Sequence, residues 1–234
     1  MNIESKMLML PGGISLEILR CPPGKFLMGS DEREIGRDSD ERHHAVLINE
    51  EFWLGRFPVT QRQWVSVMGS NPSQILGDDL PIVNASFEEC LAFTKIAGKL
   101  IGAEMRLPTE SEWEYACRAG TRTAYSWGNS ADGEFDAGHL RLVSQCRMNP
   151  WGFFGMHGNV FEWCSDWYDV DYGLGTGEAM RFNVNRYRVV RGGSWMSSKE
   201  DCRSAFRSRE VPDFKSHEIG FRICCRNCLN TTRG

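Results

Sequence analysis

Apolar and polar positions alternate along residues 14–29, ISLEILRCPPGKFLMG, on either side of Pro22-Pro23-Gly24. A period of two turns one face of a strand inward, and a Pro-Pro-Gly break marks a turn. Two short strands are therefore predicted here, and residues 45–57, AVLINEEFWLGRF, resume strand character. Three helix starts follow with the same chemistry: Thr60 with Gln63, Ser86 with Glu89, and Thr109 with Glu112. In each the hydroxyl can accept from a backbone amide one turn into the helix, while the Gln or Glu returns to the cap's own amide. Helices are predicted over 61–68, 87–99 and 110–119. In the second, Phe87, Leu91, Ile96 and Leu100 fall near one face; in the third, Trp113, Ala116 and Cys117 do. Pro108 ahead of the third cap and Gly120 after its last turn suit a helix boundary. Glu112 and Glu114 could suggest general acids, but a cap and a solvated face account for them.

The pattern becomes irregular after residue 120. Gly128-Asn129 and Asp132-Gly133 are turn signals. Residues 149–168, NPWGFFGMHGNVFEWCSDWY, are dense in glycine and aromatics, and Glu162 lies among Phe161, Trp163 and Trp167. A carboxylate in such surroundings is either ion-paired or bound to a cation. Residues 169–187 read as an exposed excursion. The stretch from Arg188 to Arg222 opens on an apolar alternation ending in Gly192-Gly193 and closes on Ile219-Gly220-Phe221-Arg222-Ile223, a predicted strand. Between them Arg203, Arg207 and Arg209 need partners, with Glu200, Asp201, Glu210 and Asp213 as the nearby candidates. A long irregular segment carrying aromatic residues reads as functional rather than as a plain connection.

Composition narrows the class. The 234 residues include 24 glycines and 8 tryptophans, a combination that fits many turns pinned by large aromatic anchors. The formal net charge of −4 argues against a nucleic-acid or membrane-surface protein. No apolar run reaches membrane-spanning length, and the N-terminal residues lack the pattern of a secretory signal, so a cytoplasmic location is expected. The 9 cysteines are then expected to be reduced thiols. Cys225 and Cys228 form a CxxC beside Cys224 but lack the context of a redox or zinc motif, which leaves a reduced tail. The adjacent His43 and His44 would point to opposite faces of a strand, and His139, His157 and His217 lie far apart in sequence, so neither group reads as a metal site. Asp166, Asp169 and Asp171 read as a solvated loop. One domain is the simplest organisation: an extension over 1–13, a domain over 14–226 and a tail over 227–234.

Six ordered stretches carry a resemblance. Residues 106–116 read RLPTESEWEYA, residues 149–154 NPWGFF, and residues 158–163 GNVFEW; Arg191-Gly192-Gly193-Ser194-Trp195, Arg203-Ser204-Ala205-Phe206-Arg207 and Ile219-Gly220-Phe221-Arg222 complete the set. These blocks resemble the formylglycine-generating enzyme, or sulfatase-modifying factor, family. The resemblance implies an α+β fold of the C-type lectin-like kind, loop-rich with a few short helices. It also implies, for the family's enzymes, oxidation of a sulfatase cysteine by oxygen at a copper ion held by two cysteines in the segment after the GGS block. Here that segment holds one cysteine, Cys202, and a single thiolate cannot complete a two-sulfur Cu(I) site; copper is not expected. A calcium site is implied at Gly158, Val160 and Glu162, with Gly155 standing where the family has a side-chain ligand.

The ending is closer still to the non-catalytic branch of the family, which uses the loop after GGSW to bind ligands. In some bacteria and phages that loop is diversified by a retroelement. The resemblance implies a protein- or small-ligand-binding surface at Trp195, Ser197, Ser198, Lys199, Glu200, Phe206, Ser208, Glu210, Val211, Phe214, Lys215 and His217. Aromatic anchors among small polar groups suit recognition. Asparagine codons altered at their adenines cannot yield Lys or Glu, so Lys199, Glu200, Lys215 and Glu218 fit a fixed surface better than a diversified one. The expectation is a non-catalytic binding module, with a copper-dependent formylglycine-generating oxidase as the alternative.

Overall fold

The computed structural model describes residues 3–130, 138–172 and 186–226. The Asp132-Gly133 turn, most of the 169–187 excursion and the 227–234 tail lie outside the described residues. In chain order the strands are β1 (Ser5–Leu10), β2 (Ile14–Cys21), β3 (Gly24–Met28), β4 (His44–Ile48), β5 (Phe52–Gly55), β6 (Met105–Arg106), β7 (Phe161–Trp167), β8 (Arg188–Arg191), β9 (Ser208–Glu210), β10 (Ile219–Gly220) and β11 (Cys224–Cys225). The helices are α1 (Gln61–Met68), α2 (Phe87–Ile101) and α3 (Glu110–Arg118). This is the α+β, loop-rich architecture the sequence suggests.

All three helices begin in full capping boxes, at Thr60, Ser86 and Thr109. All three end in a left-handed residue, at Gly69, Gly102 and Ala119. The strands form a five-stranded sheet in the order β1-β2-β5-β11-β6, a four-stranded sheet in the order β10-β7-β8-β9, and the β3–β4 pair. Neighbours are antiparallel except β10 on β7. Strand β11 lies between β5 and β6, pairing Cys224 with both Leu54 and Arg106. The end of the chain thus closes a sheet begun by its start. Residues 5–10, within the expected 1–13 extension, form the edge strand β1, antiparallel to β2 from Ile14 to Leu19.

The helix faces need correction. Helix α2 buries Phe87, Cys90, Phe93, Thr94, Ala97 and Gly98, while Ile96 and Leu100 are exposed. Large aliphatic residues suggest the wrong stripe because this helix lies close to its neighbours, where small residues are needed. A Cβ on Gly98 would sit 2.5 Å from the Ala103 carbonyl oxygen. Helix α3 has no solvated face: Glu110, Glu112, Trp113, Glu114 and Arg118 are all buried. The expected reduced tail is also corrected, since Cys225 is disulfide-bonded. Cys21, Cys90, Cys117, Cys146, Cys164, Cys202 and Cys224 are buried and not disulfide-bonded, and Cys228 lies outside the described residues.

Aromatic contacts join the layers. Trp64 of α1 stacks on Phe93 of α2 at 5.5 Å, and Phe221 stands edge-on to both, at 6.0 and 5.3 Å. Phe87 meets Trp163 of β7 edge-on at 5.9 Å. Replacing Phe93 with Ala removes the centre of this cluster, and the expected cost is about 3–5 kcal/mol. Urea unfolding measures it, and a loss below about 1 kcal/mol would mean the three rings do not hold the layers together.

Candidate functional site

The segment expected to form the site, residues 195–218, contains little regular structure, so its backbone groups must find partners elsewhere. Buried arginines supply many of them. Arg191, at the end of β8 and fully buried, donates to three successive carbonyls: Ser204 at 2.8 Å, Ala205 at 2.9 Å and Phe206 at 2.6 Å. Its guanidinium also pairs with the Glu114 carboxylate, which in turn accepts from Arg118 Nε at 2.8 Å and the Gly29 amide at 2.9 Å. Burial pushes the Glu114 carboxyl up, but Arg118 and Arg191 outweigh it and hold the group below the usual carboxylate range.

Arg203 and Arg207 fix the middle of the segment from the other side. Arg203 binds Glu41 through both terminal nitrogens, at 2.8 and 2.5 Å, and Glu34 at 2.7 Å. Arg207 binds Glu110 through Nε at 2.7 Å and Nη2 at 3.0 Å, with Tyr172 against its guanidinium at 3.7 Å. Arg209 lies 4.5 Å from the Tyr168 ring. The nearby acids expected as partners therefore give way to distant ones, 162 residues away for Glu41 and 97 for Glu110. Local acids fail because Asp213 faces solvent and Glu200 and Glu210 are half-exposed, whereas Arg203 and Arg207 point inward. Glu34, Glu41, Glu110 and Glu114 are the supporting residues that sequence reasoning missed. The i, i+4 spacing of Glu110 and Glu114 on a helix shown to be buried is the signal that marks two of them.

None of the twelve expected contact residues is buried. The structure brings Trp195 and His217 together, with ring centres 5.7 Å apart and the indole N–H donating to the His217 carbonyl at 3.2 Å. The Ser197 hydroxyl accepts from the Ser194 amide at 3.0 Å. Phe206 approaches Phe161 at 6.4 Å. Lys199 and Glu200 lie on the turn that Tyr125 holds through the Lys199 carbonyl at 2.7 Å, with Ser198 exposed just ahead of them. Ser208 and Glu210 sit on β9, opposite Val190 and Arg188. Lys215 turns toward α2 and pairs with Glu89 at 2.7 Å, and Val211 and the exposed Phe214 belong to a turn closed by a 3.0 Å bond between them. Among the twelve positions, direct contacts thus join Trp195 with His217 and Val211 with Phe214, while Phe206 and Lys215 turn to residues outside the set.

The implied metal sites do not fit this donor set. Both carboxylate oxygens of Glu162 are taken by Arg222, at 2.6 and 2.7 Å, and one also accepts from the Trp113 indole at 2.8 Å. A cation would have to displace a fully buried guanidinium, so Gly158, Val160 and Glu162 are not offered to calcium. Cys202 is buried, and its sulfur would lie 2.3 Å from a Cβ on Gly193, whose positive φ of 73° already favours glycine. Its sulfur fills space, and burial pushes its thiol well above the ordinary range. Among the described residues no group of three or more His, Cys, Asp or Glu could hold a metal ion. No helix among the described residues is long and apolar enough to cross a membrane.

Behind the segment lies a buried imidazole. His157 faces the Cys202 carbonyl through Nδ1 at 2.9 Å and accepts from the Ser126 amide at Nε2, at 3.1 Å. The two bonds fix a neutral ring carrying its proton on Nδ1. Burial lowers its pKa to about 4, against the hydrogen bond to Cys202. The unfolded ring takes a proton near 6.5, so its contribution to stability is complete above that pH and is lost as the pH falls toward 4. The expected loss is on the order of 3 kcal/mol. A His157→Asn variant, which keeps a donor and an acceptor but cannot titrate, should show that much less acid destabilisation between pH 7 and pH 4. Equal losses in denaturant titrations of the two proteins would mean the ring is not held neutral.

Comparison with known proteins places these features in a lineage. A family model described as "Sulfatase-modifying factor enzyme 1-like domain" matches residues 15–227. A formylglycine-generating enzyme of Streptomyces coelicolor is 35% identical over 73% of this chain and 62% of its own length. A protein titled serine/threonine-protein kinase pkn1, from Chlamydia caviae, is 31% identical over 94% of this chain but 39% of its own length. The chain therefore spans only about two fifths to three fifths of these curated relatives. Among solved structures, Treponema denticola variable protein 1 matches with a TM-score of 0.83 and 23% identity, over 95% of this chain and 99% of that one. This last likeness establishes the fold.

Proposed function

The chain belongs to the sulfatase-modifying factor enzyme 1-like family, and from that premise we propose that it is a non-catalytic binding module presenting the 195–218 surface to a protein or small ligand. One observation carries this reading: the segment that would bind copper holds a single cysteine, and that cysteine is buried with its sulfur packed against Gly193. Formylglycine chemistry on this scaffold needs a two-thiolate Cu(I) centre, and soft two-coordinate binding has no substitute among the exposed Ser, Lys and Glu side chains here. What the segment does offer is a backbone fixed from beneath with side chains turned outward, so binding orders little that is not already ordered. Trp195, His217, Phe206 and Phe214 supply aromatic contact area, and Lys199, Glu200, Ser197 and Ser198 supply polar contacts around it. The variable protein of Treponema denticola has the same fold, which is consistent with a binding role on this scaffold but does not by itself assign one. A fixed binding surface accounts for Lys199, Glu200, Lys215 and Glu218 better than one under active diversification.

The second reading is the oxidase. It is favoured by the 35% identity to a formylglycine-generating enzyme and would need a copper site built from residues outside the segment.

A parallel experiment separates them. Wild-type protein and a Lys199→Ala/Phe214→Ala variant are tested for binding to peptide and glycan arrays. Both are also incubated with copper, oxygen and a cysteine-containing sulfatase peptide. The binding reading expects specific ligands for the wild type, at least tenfold weaker capture by the variant, nearly equal thermal midpoints because both side chains are exposed, and no aldehyde. Equal capture by both proteins overturns the assigned surface. Copper-dependent aldehyde formation overturns the non-catalytic reading.

A further inference from the structure

A cavity lies elsewhere in the fold, between strand β3 and the C-terminal end of α3. Its volume is about 390 Å³, within the range of small-ligand pockets. Its apolar walls come from Phe26, Tyr115 and Trp151. Tyr115 stands edge-on to Trp151 at 4.9 Å and tilted against Phe26 at 5.2 Å. Its charged walls come from Lys25, Arg118 and Arg122, and no acidic residue lines it.

Several donors that line this cavity have no partner among the described residues. Tyr115 is 93% buried by its 7% exposure and Trp151 91% by its 9% exposure, yet neither the phenol hydroxyl nor the indole N–H bonds to any described residue. The exposed Lys25 and Arg122 make no ion pair among the described residues. Lysine, arginine and tryptophan can only donate, and a phenol can donate as well. Serving the helix terminus does not explain the two free cations. The last carbonyls of α3 are already taken: Ala116 and Cys117 by the Asn149 amide at 2.7 and 3.1 Å, and Arg118 by the Thr121 amide at 2.9 Å. The Arg118 guanidinium is itself committed to Glu114 and the Gly29 carbonyl.

We propose that this cavity is a binding site for a small aromatic carboxylate, its ring against Tyr115 and Trp151 and its carboxylate at Lys25 and Arg122. The aromatic walls select a flat apolar body, and edge-to-face contacts add to simple burial. The free donors select an acceptor-rich anionic end, since charge-assisted bonds from Arg and Lys to a carboxylate are the stronger kind. This site is independent of the 195–218 surface and does not rest on the reading given for it.

The probe is 2-naphthoate, with 2-naphthylmethanol as its neutral counterpart, titrated against the full chain by calorimetry and by protein NMR. Naphthoate should bind at least tenfold more tightly than the alcohol. A Lys25→Gln/Arg122→Gln variant should lose that preference while keeping its thermal midpoint, because both side chains are exposed. Phe214→Ala should bind naphthoate as the wild type does. Equal affinity for acid and alcohol, unchanged binding in the double variant, or no binding at all would overturn the proposal.

Discussion

Buried guanidinium groups hold this molecule together where regular structure does not. Arg191, Arg203, Arg207 and Arg222 are at most 5% exposed, and each meets a carboxylate supplied from far away in the chain: Glu114, Glu41, Glu110 and Glu162. A buried ion pair by itself is weak evidence for stability, because desolvation consumes most of the attraction. The pairs matter here through the rest of each guanidinium. Arg191 collects the carbonyls of residues 204–206, Arg207 those of Asp40 and Asp169, and Arg222 those of Gly55 and Phe154. A backbone without strand or helix partners has to place those oxygens somewhere. An arginine, with five donors in a rigid fork, satisfies several at once.

This constraint supports the binding reading proposed above. A ligand-binding surface built on irregular backbone is useful only if that backbone does not have to be ordered on binding. In that reading the arginines hold the backbone from beneath, although Trp195, Ser197, Ser198 and Lys215 also make bonds that shape the segment. Trp195 donates to the His217 carbonyl and so joins two parts of the loop, while Lys215 pairs with Glu89 and so ties the loop to α2. Cys202 belongs to the same logic: its sulfur fills the space beside Gly193, and its carbonyl orients His157.

The fold was legible where a local rule decides structure. The boxes at Thr60, Ser86 and Thr109 depend on residues three apart, and all three are present. The alternation around Pro22-Pro23-Gly24 likewise marks β2 and β3. Legibility ends where distance in sequence takes over. The buried stripe of α2 combines Phe87 and Phe93 with the small Cys90, Ala97 and Gly98, positions that the spacing of large aliphatic residues does not mark. The partners of Arg203 and Arg207 were sought nearby, although burial at those positions leaves only carboxylates that the fold brings in. Glu162 had two readings from its aromatic surroundings, and only the position of Arg222 decides between them. Of the twelve positions, Ser198, Lys199, Phe214, Lys215 and His217 are exposed and the other seven half-buried, a division that depends on how the loop folds back.

Native-state hydrogen exchange tests the central claim most directly, because it reads rigidity residue by residue. The amide of Ser204 donates to the Ala124 carbonyl at 2.7 Å and that of Phe206 to the Arg203 carbonyl at 3.2 Å, inside the stretch that Arg191 and Arg203 hold. If the buried arginines make this segment a fixed platform, those amides exchange as slowly as the amides of the β2–β5 pair. Exchange at Ser204 and Phe206 orders of magnitude faster than in β2 and β5 would contradict it, and would make the 195–218 surface an ordinary mobile loop.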